Sequence, residues 1–274
     1  MSGGEKLKRY KFTRDQLMIP YAIFLVLFVL LPLFVIISYA FTNSAGEVSF
    51  ENFIHFFQNR KTIGTLVYSI MIALLTTIVC LILGYPVAYI LAKGEMFKEH
   101  SLLFLFVLPM WINFTLRITA MKEILTFFEG NLAYHPFTNT IICMVYDFLP
   151  FMIQPLYNAL TKLDDSLMEA AHDLGANKFQ VILKIVLPLS IPGIVSGVTM
   201  VFLPSMTNYV VSNYLTFRNV KIFGKLIDDY FTGDLWHDGS FIALVLLLFM
   251  FLFTWLTGGF SADEQTDTRG TSLW

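Results

Sequence analysis

Long stretches without a charged side chain constrain this chain more than any other feature. Leu66–Ala92 runs 27 residues with no Asp, Glu, Lys or Arg, and Leu17–Phe41 runs 25. About 20 mainly apolar residues in a helix cross a hydrocarbon core of about 30 Å, whereas a surface helix in water needs a polar face. Four further runs qualify: Ser101–Leu116, Thr138–Leu160, Leu189–Met206 and Phe241–Gly258. Ser101–Leu116 is short, and an amphipathic continuation to Phe128 lengthens it. The expected fold is all-α, a polytopic membrane protein with about six transmembrane helices. Composition agrees, since 56% of residues are hydrophobic and 14% charged, against about 45–50% and 25% in soluble chains.

The first run is too long for a secretory signal and lacks a small-residue cleavage pattern. With both termini in the cytoplasm, 11 Lys and Arg lie inside and 7 outside, and five of the inside ones precede the first span. That arrangement satisfies the positive-inside bias. The expected organisation is an N-terminal cytoplasmic segment at 1–16, a transmembrane domain at 17–260 with a cytoplasmic loop at 161–188, and a cytoplasmic tail at 261–274. Cys80 and Cys143 sit in apolar runs and read as buried thiols. A net charge of −2 excludes a nucleic-acid binder relying on bulk basicity. There is no G-x-x-x-x-G-K-[ST] loop, no H-E-x-x-H and no G-x-S-x-G, and the histidines lack ligand spacing, so neither nucleotide, metal nor hydrolytic chemistry is expected in this chain.

The cytoplasmic loop carries the strongest pattern. Ser166-Leu-Met-Glu169 has the form of a capping box. Leu163, Leu167, Ala170, Ala171 and Leu174 follow at helical spacing, and Gly175 suits the left-handed closing position. Asn177 is placed to cap a second helix carrying Phe179, Ile182, Leu183 and Val186 and stopping before Pro188. The product is a helix-turn-helix knob. It reads either as a hairpin lying on lipid headgroups or as a docking element for a cytoplasmic partner.

Glu169-Ala170-Ala171, Gly175, Ile185, Leu187 and Pro188 match E-A-A-x3-G-x9-I-x-L-P at every fixed position. On those residues the chain resembles the membrane subunits of binding-protein-dependent ABC importers. The resemblance implies the type I permease fold and a bacterial cytoplasmic-membrane location. It also implies that these seven residues dock a separate ATPase, with Glu169 as the charged contact, Ala170 and Ala171 as close-packing positions and Gly175 as the turn. ATP and Mg2+ would then be bound by that partner and no cofactor by this chain. Leu83-Gly84-Tyr85-Pro86 through Lys93, Leu149-Pro150-Phe151, Pro155-Leu156-Tyr157 and Leu203-Pro204-Ser205-Met206 look like permeases for spermidine and putrescine. The implied assembly adds a second, homologous permease (PotC-like), an ATPase homodimer (PotA-like) and an extracytoplasmic polyamine-binding protein (PotD-like), working by alternating access.

A polycation needs carboxylates, carbonyls and aromatic faces along its path. Asp147 lies nine residues into its span, about 13.5 Å deep at ~1.5 Å per residue. An intramembrane acid faces protein or water. It is either a cation site or the partner of an Arg or Lys. Trp111 and Asn113, with Arg117 beyond them, form a second candidate, together with Tyr146 and Tyr157, whose rings can hold ammonium groups. Met206 and Asn208, after Pro204, are placed to line a gate. Asp228, Asp229, Asp234 and Asp238 make the far end of the outer loop Thr207–Ser240 acidic. Three alternatives stand beside the polyamine reading: a permease for iron, sulfate or another small solute, an ATP-independent carrier, and a structural membrane subunit.

Overall fold

The computed structural model describes residues 14–43, 45–94, 101–215 and 221–258. Among them every regular element is helical, and one isolated bridge joins Thr42 to Val48. Four helical stretches are long and apolar enough to cross a bilayer: Met18–Ala40, Arg60–Lys93, Pro136–Thr161 and Trp236–Gly258. A fifth is a pair, Lys178–Leu189 and Ile191–Thr207, bent by 68°.

The first stretch is built from α1 (Arg14–Leu25), a π turn (Val26–Leu30) and α2 (Leu31–Ala40). Leu31 N–H donates to the Val26 carbonyl, and Pro32 follows at once. Proline offers no N–H and crowds the carbonyl four residues back. A widened turn changes that hydrogen-bonding frame and lets the helix continue. After α3 (Glu51–Gln58), Asn59 caps α4 (Arg60–Lys93) by accepting from Lys61 N–H at 3.1 Å. The 34 residues of α4 span about 51 Å at ~1.5 Å each, so the helix extends beyond the hydrocarbon core.

The expected third span is not one helix. It divides into α5 (Ser101–Val107), a 3-10 turn (Leu108–Trp111) and, past an extended Ile112, α6 (Phe114–Glu129). Pro109 sits in the 3-10 turn, and Asn113 starts α6 by accepting from Thr115 N–H at 2.9 Å.

The interior is formed by α4, α7 (Pro136–Thr161) and α11 (Ile191–Thr207). Small residues let their backbones approach, as membrane helices require. A Cβ on Gly193 would lie 2.5 Å from Ala159 Cβ, and one on Gly197 would lie 2.7 Å from Met152 Sδ. The contacts also give direction. Thr76 meets Met144, Cys80 meets Val145, Gly84 meets Met152 and Lys93 meets Leu163, so α4 and α7 run parallel. By the same test α11 runs antiparallel to α7. Cys80 and Cys143 are buried free thiols.

A second cluster gathers α2, α3, α13 (Phe223–Thr232) and α14 (Trp236–Gly258), with Phe41, Phe53 and Phe56 edge-on to Phe241. At the start of α13, Phe223 N–H donates to Ser69 Oγ of α4 at 2.7 Å. Met18 to Leu31, most of the first stretch, are exposed throughout.

Candidate functional site: a hairpin after α7 and a cleft between α7 and α11

The loop after α7 folds as the expected knob, with two corrections. The cap of α8 (Asp165–Asp173) is Asp164, not Ser166: Asp164 Oδ1 accepts Ser166 N–H at 3.0 Å. An acidic side chain two residues upstream supplies the capping oxygen first, which shifts the start of the helix. The bond from Ser166 N–H, joined by the Ser166 hydroxyl and the nearby Lys93, holds the Asp164 carboxyl below the usual carboxylate range. α8 closes as a Schellman motif. Gly175 N–H donates to His172 O at 2.9 Å, Ala176 N–H donates to Ala171 O at 3.0 Å, and Gly175 has φ +84°.

Asn177 caps the second helix as expected, in a reciprocal box with Gln180: Gln180 N–H to Asn177 Oδ1 is 2.8 Å and Asn177 N–H to Gln180 Oε1 is 3.0 Å. The second correction is that this helix does not stop before Pro188. α9 (Lys178–Val181) passes into a π turn (Ile182–Val186) and then α10 (Leu187–Leu189), which contains Pro188. The device is the one seen before Pro32. Ser190, fully buried, marks the 68° elbow into α11.

The hairpin turns Ala171, Val181 and Val186 inward, into the apolar cluster that also holds Ala88 and Leu160. Glu169, Ala170 and Gly175 are exposed, as are Leu167, Phe179 and Leu174, the last at 89%. Ile185 and Leu187 are half-buried on the connecting helix. Exposed apolar side chains beside an acidic residue mark a surface that meets a protein partner or lipid headgroups rather than water alone.

Inside the membrane the candidate pathway residues separate. Asp147 is completely buried, and Arg117 Nη1 of α6 lies 3.3 Å from its Oδ1 and 3.4 Å from its backbone carbonyl. The Phe114 ring faces the guanidinium at 5.5 Å. Asp147 therefore joins α7 to α6, and no part of it reaches the surface. Tyr157 and Met206 are core residues, and Asn208, at the α11–α12 (Tyr209–Leu215) junction, is buried with its Nδ2 unpartnered. Trp111, at 81%, and Asn113 are exposed at the break between α5 and α6, away from Asp147 in sequence and fixed by the turn. Only Tyr146 lies on an exposed face of α7. Three of the four carboxylates between Asp228 and Asp238 have a basic side chain beside them. Burial works against the Lys225 ammonium, but Asp228 at 2.7 Å and Asp229 at 2.9 Å outweigh it and hold its pKa above the ordinary value. Asp238 pairs with His55 at 3.3 Å.

The structure adds two residues that the sequence reading overlooked. Gln154 and Asn158, four residues apart on α7 and both exposed, line a cleft of about 280 Å³ between α7 and α11, together with Ser196 and Met200. Their signal was present: two amides four residues apart in the largely apolar second half of the span. Exposed amides are costly against lipid, so this face meets protein or water.

Residues 84–262 match the family model described as binding-protein-dependent transport system inner membrane component. The chain belongs to this family. Among curated relatives, the spermidine/putrescine transport system permease protein PotB of Haemophilus influenzae is 34% identical over 268 residues, covering 90% of this chain and 93% of the relative. PotB of Escherichia coli is 34% identical over 247 residues, covering 82% and 90%. Among solved structures, a bacterial ABC transporter involved in import of the acidic polysaccharide alginate gives a TM-score of 0.74 at 14% identity, covering 91% of this chain and 94% of that one. The MetNI methionine ABC transporter in inward-facing form gives 0.56 at 16% identity, covering 75% and 98%. The chain is thus a multi-pass membrane permease with the ABC-importer fold.

Proposed function

We propose that this chain is one of two permease subunits of an ATP-driven importer for polyamines such as spermidine and putrescine. The observation that carries the cargo is the 34% identity to PotB permeases along most of both chains. Its partners are a PotC-like second permease, a PotA-like ATPase pair that binds ATP and Mg2+, and a PotD-like external binding protein. Glu169, Ala170 and Gly175 form the ATPase contact; Ala171, expected beside them, instead packs the hairpin onto the permease interior, and Ile185, Leu187 and Pro188 lead from it into the membrane.

Both termini lie in the cytoplasm, and the chain crosses six times. The parallel run of α4 and α7 supports that count: a chain leaving Lys93 and re-entering at Pro136 in the same direction must first return across the bilayer. The broken α5–α6 segment supplies the return. The domain division is 1–16, 17–260 and 261–274, with 161–188 as the docking loop. The cation travels beside Tyr146, Gln154 and Asn158, where ring faces and amide oxygens replace water without binding irreversibly. Closure of the ATPase pair rocks the hairpins and opens the cleft outward, and release of hydrolysis products resets it inward.

The test is uptake of labelled spermidine and putrescine by cells lacking this chain, complemented with wild type or Glu169→Lys, with an unrelated solute as control. Restoration by wild type alone, confined to polyamines, is expected. Unchanged polyamine uptake in cells without redundant routes would discard the cargo.

A further inference from the structure

Taking the docking reading as its basis, we infer that α4 is the strut that carries movement of the hairpin into the spans, with Tyr85 and Lys93 as positioning residues holding the hairpin's two ends. At the entry, Lys93 Nζ donates to the Leu163 carbonyl and to Asp165 Oδ1, both at 2.6 Å. Its side chain is only 9% exposed, although its partner Asp165 is 72% exposed. At the exit, Tyr85 OH and Ser190 Oγ lie 3.0 Å apart. Ser190 is the elbow residue itself, and its Oγ is also 3.0 Å from the Leu187 carbonyl.

The entry and exit are 27 residues apart in sequence but attach to one helix, eight residues apart on α4, or about 12 Å along its axis. α4 is also the helix whose Gly84 packs on Met152 in the three-helix interior. A rotation of the hairpin must therefore either take α4 along or break one of the two attachments. The entry attachment is charge-assisted, and the exit is a hydroxyl pair in an apolar setting, so both resist separation.

The experiment uses the assembled complex, permeases and ATPase together, in lipid nanodiscs and proteoliposomes. Variants are Tyr85→Phe, Lys93→Met, the two combined, Ser190→Ala and the conservative Lys93→Arg. The readouts are ATPase retained on purification, ATP hydrolysis, and polyamine imported per ATP. The expected result is full retention of the ATPase with import per ATP reduced roughly tenfold in the combined variant, the scale set by losing a charged hydrogen bond. Lys93→Arg restores coupling, and Tyr85→Phe with Ser190→Ala is no worse than either alone. Wild-type import per ATP in the combined variant overturns the strut. So does loss of the ATPase on purification, which would make these residues part of folding or docking. Glu169→Lys, measured alongside, reports on docking separately: if it retains both ATPase and coupling, the docking surface is wrong whatever the Tyr85 and Lys93 variants do.

Discussion

Replacing Asp147 by Asn separates a structural role from a cargo role. The Arg117 guanidinium and the Asp147 carboxylate are 3.3 Å apart, with side chains 5% and 0% exposed. At an effective dielectric constant of about 20, Coulomb attraction at that distance is about 5 kcal/mol. Much of it offsets the cost of taking both charges out of water, so the pair adds little relative to an apolar one. Removing a single partner is different, because it strands the other charge, at a cost of about 3–5 kcal/mol. Here the stranded Arg117 would keep only the Phe114 ring and the residue 147 carbonyl. Asp147→Asn and Arg117→Met alone should each lower the melting midpoint of the detergent-solubilised complex by roughly 6–20 °C, taking about 2–4 °C per kcal/mol for a domain of this size. Combining Arg117→Met with Asp147→Leu should recover most of that loss, and the recovered complex should still import polyamine. The reasoning is refuted if Asp147→Asn melts like wild type yet abolishes uptake. It is equally refuted if the combined variant melts lower than either single one.

The helix interface makes an ordered prediction. Gly193→Ala sets a methyl 2.5 Å from Ala159 Cβ and 3.1 Å from the Pro155 carbonyl, whereas Gly197→Ala meets the movable Met152 Sδ at 2.7 Å. Gly193→Ala should therefore be the more destabilising, at about 1–3 kcal/mol, and Ala159→Gly should partly rescue it in the same melting assay. For the cap, the Asp164 carboxyl is depressed in the folded hairpin. Its contribution is complete above the unfolded value of about 3.9 and is lost as pH falls through the lower folded value. Hydrogen exchange at the Ser166 and Leu167 amides should accelerate, relative to the intrinsic rate, only in that acid window, and Asp164→Ala should show the acceleration at neutral pH. In the cleft, Asn158→Cys should react with a charged thiol reagent in the assembled complex, and spermidine should slow the reaction. Labelling indifferent to spermidine would remove Asn158 from the pathway.

What could be read from the residue order divides by range. Gly175 at φ +84° and the Asn177 cap were legible because each is decided within a few residues. The helix-turn-helix form of the hairpin was legible for the same reason. The Ser166 cap failed locally, displaced by an equally good cap two residues earlier. Passage through Pro188 was hidden because a π turn leaves no compositional trace. The break before α6 turns on Pro109 and Asn113, and proline is common inside membrane helices as well as between them. The Asp147–Arg117 pair spans 30 residues, and only the packing of α6 on α7 selects Arg117 over other bases. Gln154 and Asn158 became meaningful only when α11 was seen to leave them uncovered.

The hairpin closes on its own hydrogen bonds, from Asp164 through Gly175 to the Asn177–Gln180 box, and none of these bonds reaches the cleft between α7 and α11. In the proposed importer, the surface that meets the engine and the surface that meets the freight are therefore independently mutable. Selection can retune Gln154 or Ser196 for a different solute while the same ATPase continues to drive the transporter. A lineage of such permeases can diversify in what it carries without having to reinvent how it is powered.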